Sequence, residues 1–154
     1  MGRDMTKTIR IDINNNLQRS QFNQLFNEYA KAVSANLDPL VTNKIFELPY
    51  FHGFLCYIEQ QPVAFAVCFE SFSTYRSKKV LNIHDFMVSL NHRGQGMGKI
   101  LLAGIEQHCI EQDFLKITLE VDEDNIAAQK LYTSCRFEDH QVALKGLLHW
   151  QKYL

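Results

Sequence analysis

Two kinds of residue stand close together in the middle of this chain. One is the ionisable pair His84 and Asp85; the other is three glycines at alternate positions, Gly94, Gly96 and Gly98. The pair lies in Leu81 to Val88, an apolar, β-branched and aromatic run that reads as a strand. Asn91-His92-Arg93 breaks the run, and from Lys99 the apolar residues Leu101, Leu102, Ile105 and Cys109 recur at helical spacing. A glycine turn entering a helix presents free backbone N–H groups, and the helix dipole adds partial positive charge there. That combination binds phosphate. The chemistry expected is a pyrophosphate-bearing cofactor held beside a strand that carries ionisable side chains.

The elements that must position these residues follow from the pattern on either side. Thr8 to Ile13 alternates, with Ile9, Ile11 and Ile13 on one side, and predicts a first strand ended by Asn14-Asn15-Asn16. Phe22, Leu25, Phe26, Tyr29, Ala30 and Val33 mark one face of a helix. A short helical turn is expected around Asn43 to Leu48. His52 to Ile58 and Pro62 to Phe72 read as a hairpin, and Ser73 to Lys79 as an exposed loop. After the strand, turn and helix described above, Phe114 to Val121 predicts another strand. Asp122 or Asp124 could cap a last helix, whose inner face would be Ala128, Leu131, Tyr132 and Cys135. Phe137 to Leu144 and Leu147 to Tyr153 read as a closing pair of strands. Strands that twice precede helices imply an α/β (α+β) fold with a mixed sheet and helices on its faces.

Composition narrows the class. At 154 residues, 46% of them apolar and with a formal charge of −1, the chain reads as a single globular domain. Residues 1–6 read as a flexible leader or remnant, with Met5 as a second candidate start, and 7–154 as the domain. Near-neutral charge and the lack of a basic-aromatic array argue against a nucleic-acid partner. No apolar run approaches the roughly 20 residues that span a bilayer, so no membrane partner is expected. Cys56, Cys68, Cys109 and Cys135 are widely spaced, without a CxxC pair. They read as reduced, packed thiols of a cytoplasmic protein, and no metal is expected.

Two familiar phosphate motifs fit the glycine turn poorly. A P-loop needs Lys-Ser/Thr after its last glycine, whereas Gly98 is followed by Lys99-Ile100. A dinucleotide fingerprint is G-x-G-x-x-G in a first βα unit, whereas this turn is G-x-G-x-G after several strands. Arg93-x-x-Gly96-x-Gly98, after a strand ending in Val88, instead resembles the acetyl-CoA loop of the GNAT superfamily of N-acetyltransferases. Asn125-Ile-Ala-Ala128-Gln-Lys-Leu131-Tyr132, with Phe137 beyond it, is similar to that family's N-x-x-A-x-x-L-Y-(x)4-F segment. Arg136 departs from the pattern, since many members carry glycine before the Phe. The resemblance covers nearly the whole chain from Thr8.

What the resemblance implies can be given residue by residue. The fold would be the GNAT-like one, a central mixed sheet of six to seven strands flanked by helices, with two strands splayed at the cofactor site. Backbone N–H groups across Arg93, Gly94, Gln95, Gly96, Met97, Gly98 and Lys99 would hold the pyrophosphate of acetyl-CoA. The Arg93 side chain would bond phosphate or fix the loop. Phe86, Met87 and Val88 would pair through their backbone with the pantetheine arm, and Asn125 would sit near the cofactor while capping its helix. Tyr132 would contact the cofactor and protonate the departing thiolate; the competing reading is a packed tyrosine on an apolar helix face.

Direct acetyl transfer also needs a base, because an ammonium must lose a proton before it attacks. His84 and Asp85 are the candidates. Histidine ordinarily titrates near neutrality, which suits a base. Asp85 would bind a cationic amine or take its proton through water. Strand neighbours point to opposite faces unless a bulge intervenes, so one of the two is expected to reach the substrate. Glu120 and Asp122 are weaker candidates. Acceptor specificity is expected among Tyr29, Asn36, Asp38, Tyr50, Phe51, Glu70, Phe72, Ser73 and Tyr75, with Arg76, Lys78 and Lys79 nearby. The reaction implied is transfer of acetyl from acetyl-CoA to a primary amine of a small molecule or peptide, without an acyl-enzyme. The alternative is a catalytically silent CoA-binding regulatory module of the same fold. A homodimer is a family-level expectation.

Overall fold

The computed structural model describes residues 5–34, 36–139, 146, 148 and 150–154. It divides into two compact units, Met1–Glu120 and Val121–Leu154. The first unit contains β1 (Thr6–Arg10), α1 (Asn16–Ala32), α2 (Val41–Phe46), β2 (Phe51–Ile58), β3 (Gln61–Ser73), β4 (Lys78–Val88), α3 (Met97–Glu111) and β5 (Lys116–Leu119). Its five strands form one sheet in sequential order, antiparallel from β1 to β4 and parallel between β4 and β5. This is the mixed sheet flanked by helices that the strand order predicts, with five strands among the described residues instead of six to seven.

Helices cover both faces of the sheet. On one face, Phe22, Leu25 and Phe26 of α1 and Ile45 and Phe46 of α2 pack with Phe51, Leu55, Tyr57, Phe65, Val67 and Met87. The Phe22 ring is fully buried, with the rings of Phe26, Phe46, Phe51 and Phe65 at 5.3 to 6.2 Å. Each such aromatic contributes about 1.5–3 kcal/mol by burial, and this cluster pins α1 to the sheet. On the other face lies α3, whose Leu101, Leu102, Ile105 and Cys109 are buried. Its approach to β1 is close: a Cβ on Gly104 would stand 2.3 Å from Thr8 Cβ, and Thr8 Oγ1 donates to the Ile100 carbonyl at 3.0 Å. With both faces covered, β2 is apolar and buried almost throughout, not alternating.

Some boundaries differ from the sequence reading. β1 ends at Arg10, and Ile13 is 42% exposed instead of sharing a buried face with Ile11. The reason is local. Asp12 accepts the Asn14 and Asn15 N–H groups, and Asn15 caps α1 by accepting the Gln18 N–H at 3.1 Å. Lys78 and Lys79, read as loop, begin β4 opposite Ser73 and Phe72.

The second unit contains α4 (Ile126–Ser134). Its cap is Asn125, which accepts the Ala128 N–H at 3.1 Å, and not Asp122 or Asp124. Ala128, Leu131, Tyr132 and Cys135 are half-buried, as their helical spacing predicts. The expected strand 137–144 falls largely outside the described residues; Phe137 to Asp139 carry no strand, and neither do residues 150–153 of the expected partner.

Candidate functional site

β4 carries the ionisable pair and leads into the glycine turn that opens α3. In its pairing with β3, Val67 stands opposite Asp85 and Cys68 opposite Ile83, so His84 is an extra residue. Such a bulge re-aims side chains that regular alternation would send to opposite faces. The His84 ring meets the Phe69 ring edge-on at 5.6 Å, and Phe69 packs on the α1 side of the sheet. Asp85 meets α1 itself, where the Tyr29 hydroxyl donates to its Oδ1 at 2.8 Å. Both side chains therefore lie on the α1 side, where the alternation rule expected one. His84 Nδ1 lies 3.0 Å from Asp85 Oδ2. Burial, then the neighbouring carboxylate, push the Tyr29 phenol up to about 12.

A second polar group lies on the same face. Asn82 Nδ2 reaches Thr118 Oγ1 at 3.1 Å and the Glu120 carboxylate at 3.2 and 3.3 Å. These bonds close the β4–β5 ladder, which runs from Val80–Lys116 to Ile83–Leu119 and stops there. Pairing of the two strands therefore ends one residue before His84, the region where the sequence reading expects a splay. Phe86, Met87 and Val88 lie beyond that point, paired with Ala66, Phe65 and Ala64 of β3. The Met87 side chain is committed to the core.

At the end of β4 the chain makes a single 3-10 turn, Leu90–His92, and then the glycine turn. Gly94 and Gly96 are left-handed, with φ of 74° and 79°, a region costly to other residues. A Cβ at either would meet nothing within 4 Å. These two glycines are needed for their backbone angle, and not for space. Gly96 is the N-cap of α3 and no side chain caps that end, so the first N–H groups of the helix are offered outward. Met97 buries its side chain, leaving its backbone to serve. Arg93 Nε donates to the Val88 carbonyl at 2.9 Å, so it fixes the turn against the strand, while Gln95 and Lys99 stay exposed.

Sequence reasoning missed Glu28. Its carboxylate accepts from Ser89 Oγ at 3.0 and 3.1 Å and from the Leu90 N–H at 3.0 Å. Helix α1 thus grips β4 twice, through Tyr29 at the ionisable pair and through Glu28 at the start of the turn. The only signal was an acid beside the apolar face of a helix. Other residues assigned to the acceptor side are placed elsewhere. Phe51 is core, and Glu70 lies on the α3 face, 2.9 Å from His52 Nε2. Tyr75 is 99% exposed at the β3–β4 turn.

In the second unit, Tyr132 is half-buried with its ring 5.8 Å from that of Phe137, and burial raises its phenol above the ordinary tyrosine range. Its backbone closes the helix: the Phe137 N–H donates to the Tyr132 carbonyl and that of Arg136 to Thr133, each at 3.0 Å. This is a Schellman end with its left-handed residue at Arg136, φ 69°. The turn a glycine usually makes is therefore made here by arginine.

A model of the GNAT acetyltransferase family matches residues 15–137. The chain belongs to the GNAT acetyltransferase family. An uncharacterized N-acetyltransferase of Methanocaldococcus jannaschii is 28% identical over 100 residues, which are 64% of this chain and 44% of that protein. The chain thus matches less than half the length of that relative. Among solved structures, an aminoglycoside acetyltransferase from an uncultured soil metagenomic sample, in complex with trehalose, is similar with a TM-score of 0.77. It is 22% identical, over 97% of this chain and 96% of that one. A ribosomal-protein-alanine N-acetyltransferase from Brucella melitensis biovar Abortus 2308 gives 0.72, at 15% identity over 97% and 96% of the two chains. At these identities the likeness is one of fold. Among the described residues no group of three or more His, Cys, Asp or Glu could hold a metal ion, and no helix is long and apolar enough to cross a membrane.

Proposed function

We propose that this GNAT protein transfers an acetyl group from acetyl-CoA to a primary amine of a small molecule or peptide by direct attack of that amine. The observation that carries the reading is the combination on β4. A hydrogen-bonded His84–Asp85 pair sits just past the last β4–β5 pairing, and a left-handed glycine turn into an uncapped helix follows it. Bound acetyl-CoA supplies an activated acetyl carbonyl and a thiolate leaving group. The backbone from Arg93 to Lys99 suits its pyrophosphate, and that of Phe86 to Val88 suits its pantetheine arm; Asn125 and Tyr132 are assigned to it from the family pattern. Tyr132, protonated at neutral pH, returns a proton to the thiolate, and the His84–Asp85 pair takes one from the amine. A silent binding module would have no use for a paired imidazole and carboxylate at that point. The acceptors named for the two structural neighbours differ, an aminoglycoside in one and a ribosomal-protein alanine in the other, so the fold leaves the acceptor open.

Acetyl-CoA should raise the melting temperature of the purified protein, because a ligand that binds only the folded state stabilises it. Gly96→Ala strains the turn through its φ alone, whereas Gly96→Glu adds repulsion at the anion site. The expected order of cofactor-induced shifts is unchanged protein, then Ala, with none for Glu. CoA release is then followed over polyamines, aminoglycosides, amino acids and peptide N-termini. A melting temperature indifferent to millimolar acetyl-CoA would overturn the reading.

A further inference from the structure

We propose that His84 is the general base of the acetyl transfer, and that Tyr29 and Asp85 are positioning residues which select the imidazole nitrogen that takes the proton. The inference rests on the acetyltransferase reading above and decides between two groups that reading leaves equal. The Asp85 carboxylate is already engaged at both oxygens, Oδ1 by Tyr29 and Oδ2 by His84. Its side chain is 17% exposed and that of His84 is 61% exposed. An incoming ammonium therefore meets the imidazole, with the carboxylate behind it.

The tautomer follows from donor and acceptor arithmetic. A carboxylate only accepts, so the bond between Nδ1 and Oδ2 requires the proton on Nδ1. A neutral imidazole has one donor and one acceptor, and Nε2 is then the nitrogen with a lone pair. The proton step balances simply. An N–H bond of the ammonium breaks with its electron pair left on the amine, and a new N–H bond forms at Nε2. The imidazolium charge is offset by Asp85, and the proton then leaves to water. This is the hydrogen-bond logic by which a buried carboxylate orients a catalytic histidine.

Tyr29 extends that logic by one residue. Its ring is held by Phe26 and Phe65 at 5.8 and 5.7 Å, in the aromatic cluster that fixes α1 to the sheet. Its phenol, pushed up to about 12 by burial and then by Asp85, remains a donor at any working pH. It therefore holds one carboxylate oxygen toward α1 and turns the other to His84. The bulge at His84 makes the contact possible, and the edge of Phe69 restrains the imidazole from the other side.

The test is histidine 15N NMR on the substrate-free protein, set beside steady-state kinetics. His84 should carry its proton on Nδ1, against the Nε2–H preference of an unconstrained histidine side chain. Asp85→Asn should return it to the Nε2–H form, and Tyr29→Phe should give a mixture. In kinetics, His84→Gln and Asp85→Asn should lower kcat by about 100-fold or more, and Tyr29→Phe by about 10-fold, the loss of one charge-assisted bond. The stabilisation by acetyl-CoA and its KM should be unchanged in all three. A proton on Nε2 in the unchanged protein, or a Tyr29→Phe protein with unaltered tautomer and kcat, would overturn the proposal. The tautomer is read without turnover. A Nδ1–H histidine in a protein that releases CoA with no amine would therefore bring down the acetyltransferase reading, and the base with it, while leaving the hydrogen-bonded chain established.

Discussion

Tyr132 is the residue to which the proposed reaction assigns the acid. Burial raises its phenol, which keeps the proton on the oxygen at neutral pH. In the proposed reaction the phenol lends that proton to the departing thiolate as the C–S bond breaks, and regains one from solvent. Tyr132→Phe keeps the ring, its packing against Phe137 and the helix backbone, and removes the proton. The expected result is a kcat lower by about 10- to 100-fold with acetyl-CoA stabilisation preserved. A variant that melts early but turns over normally in its folded fraction would make Tyr132 a packing residue. Tyr132 and Asn125 were singled out because they stand in a spaced motif. Tyr29 was read as an acceptor-side residue and not as the partner of Asp85, and Glu28 was missed, because periodicity sorts helix residues into inside and outside, and these two work at the seam. The sequence supplied the two residues of the His84–Asp85 pair but not their shared face, since the bulge is set by register with β3.

At the level of elements, helix ends and strand limits were decided by hydrogen bonds that hydrophobic pattern does not report. β1 stops early because Asp12 and Asn15 bind backbone N–H groups, and β4 starts early because Lys78 and Lys79 find partners across the hairpin. The C-terminus of α4 is the most instructive case. The family pattern places glycine where this chain has Arg136, and the geometry is kept: φ is 69° and the Schellman bonds form. A side chain in that region costs about 1–2 kcal/mol. Arg136→Gly removes the strain but loosens the unfolded chain, so a net gain of about 0.5–1 kcal/mol is expected. Thermal unfolding should show a rise of a few degrees with turnover unaltered. A lower melting temperature would mean that the arginine side chain contributes more than its backbone costs.

On the scale of the molecule, the layering was legible and the polar interior was not. The apolar runs of β2 and β3 announce a sheet covered on both sides, yet they also carry His52, which sits beneath α3 with Glu70. The His52 ring stands 5.8 Å from that of His108 of α3, and Phe114 lies against both. Burial, the largest cause, holds both histidines below the ordinary range. Arg10 lowers both further, and His108 and Lys79 add to this for His52 and His108 respectively; Glu70 opposes it at His52 and Glu111 at His108. The unfolded chain therefore binds more protons than the folded one from the ordinary histidine value, near pH 6.5, down to the lowered values. In that window stability rises with pH. The contribution is complete above about pH 6.5 and is lost as the pH falls below it. The melting temperature should be flat from pH 8 to 7 and then decline by a few degrees toward pH 5.5. His108→Phe should shallow the decline by removing one of the two groups that must charge. Because α3 also carries the glycine turn at its other end, acetyl-CoA stabilisation should weaken over the same interval. A melting temperature that rises below pH 6.5 would mean that the Glu70 bond, and not burial, governs His52.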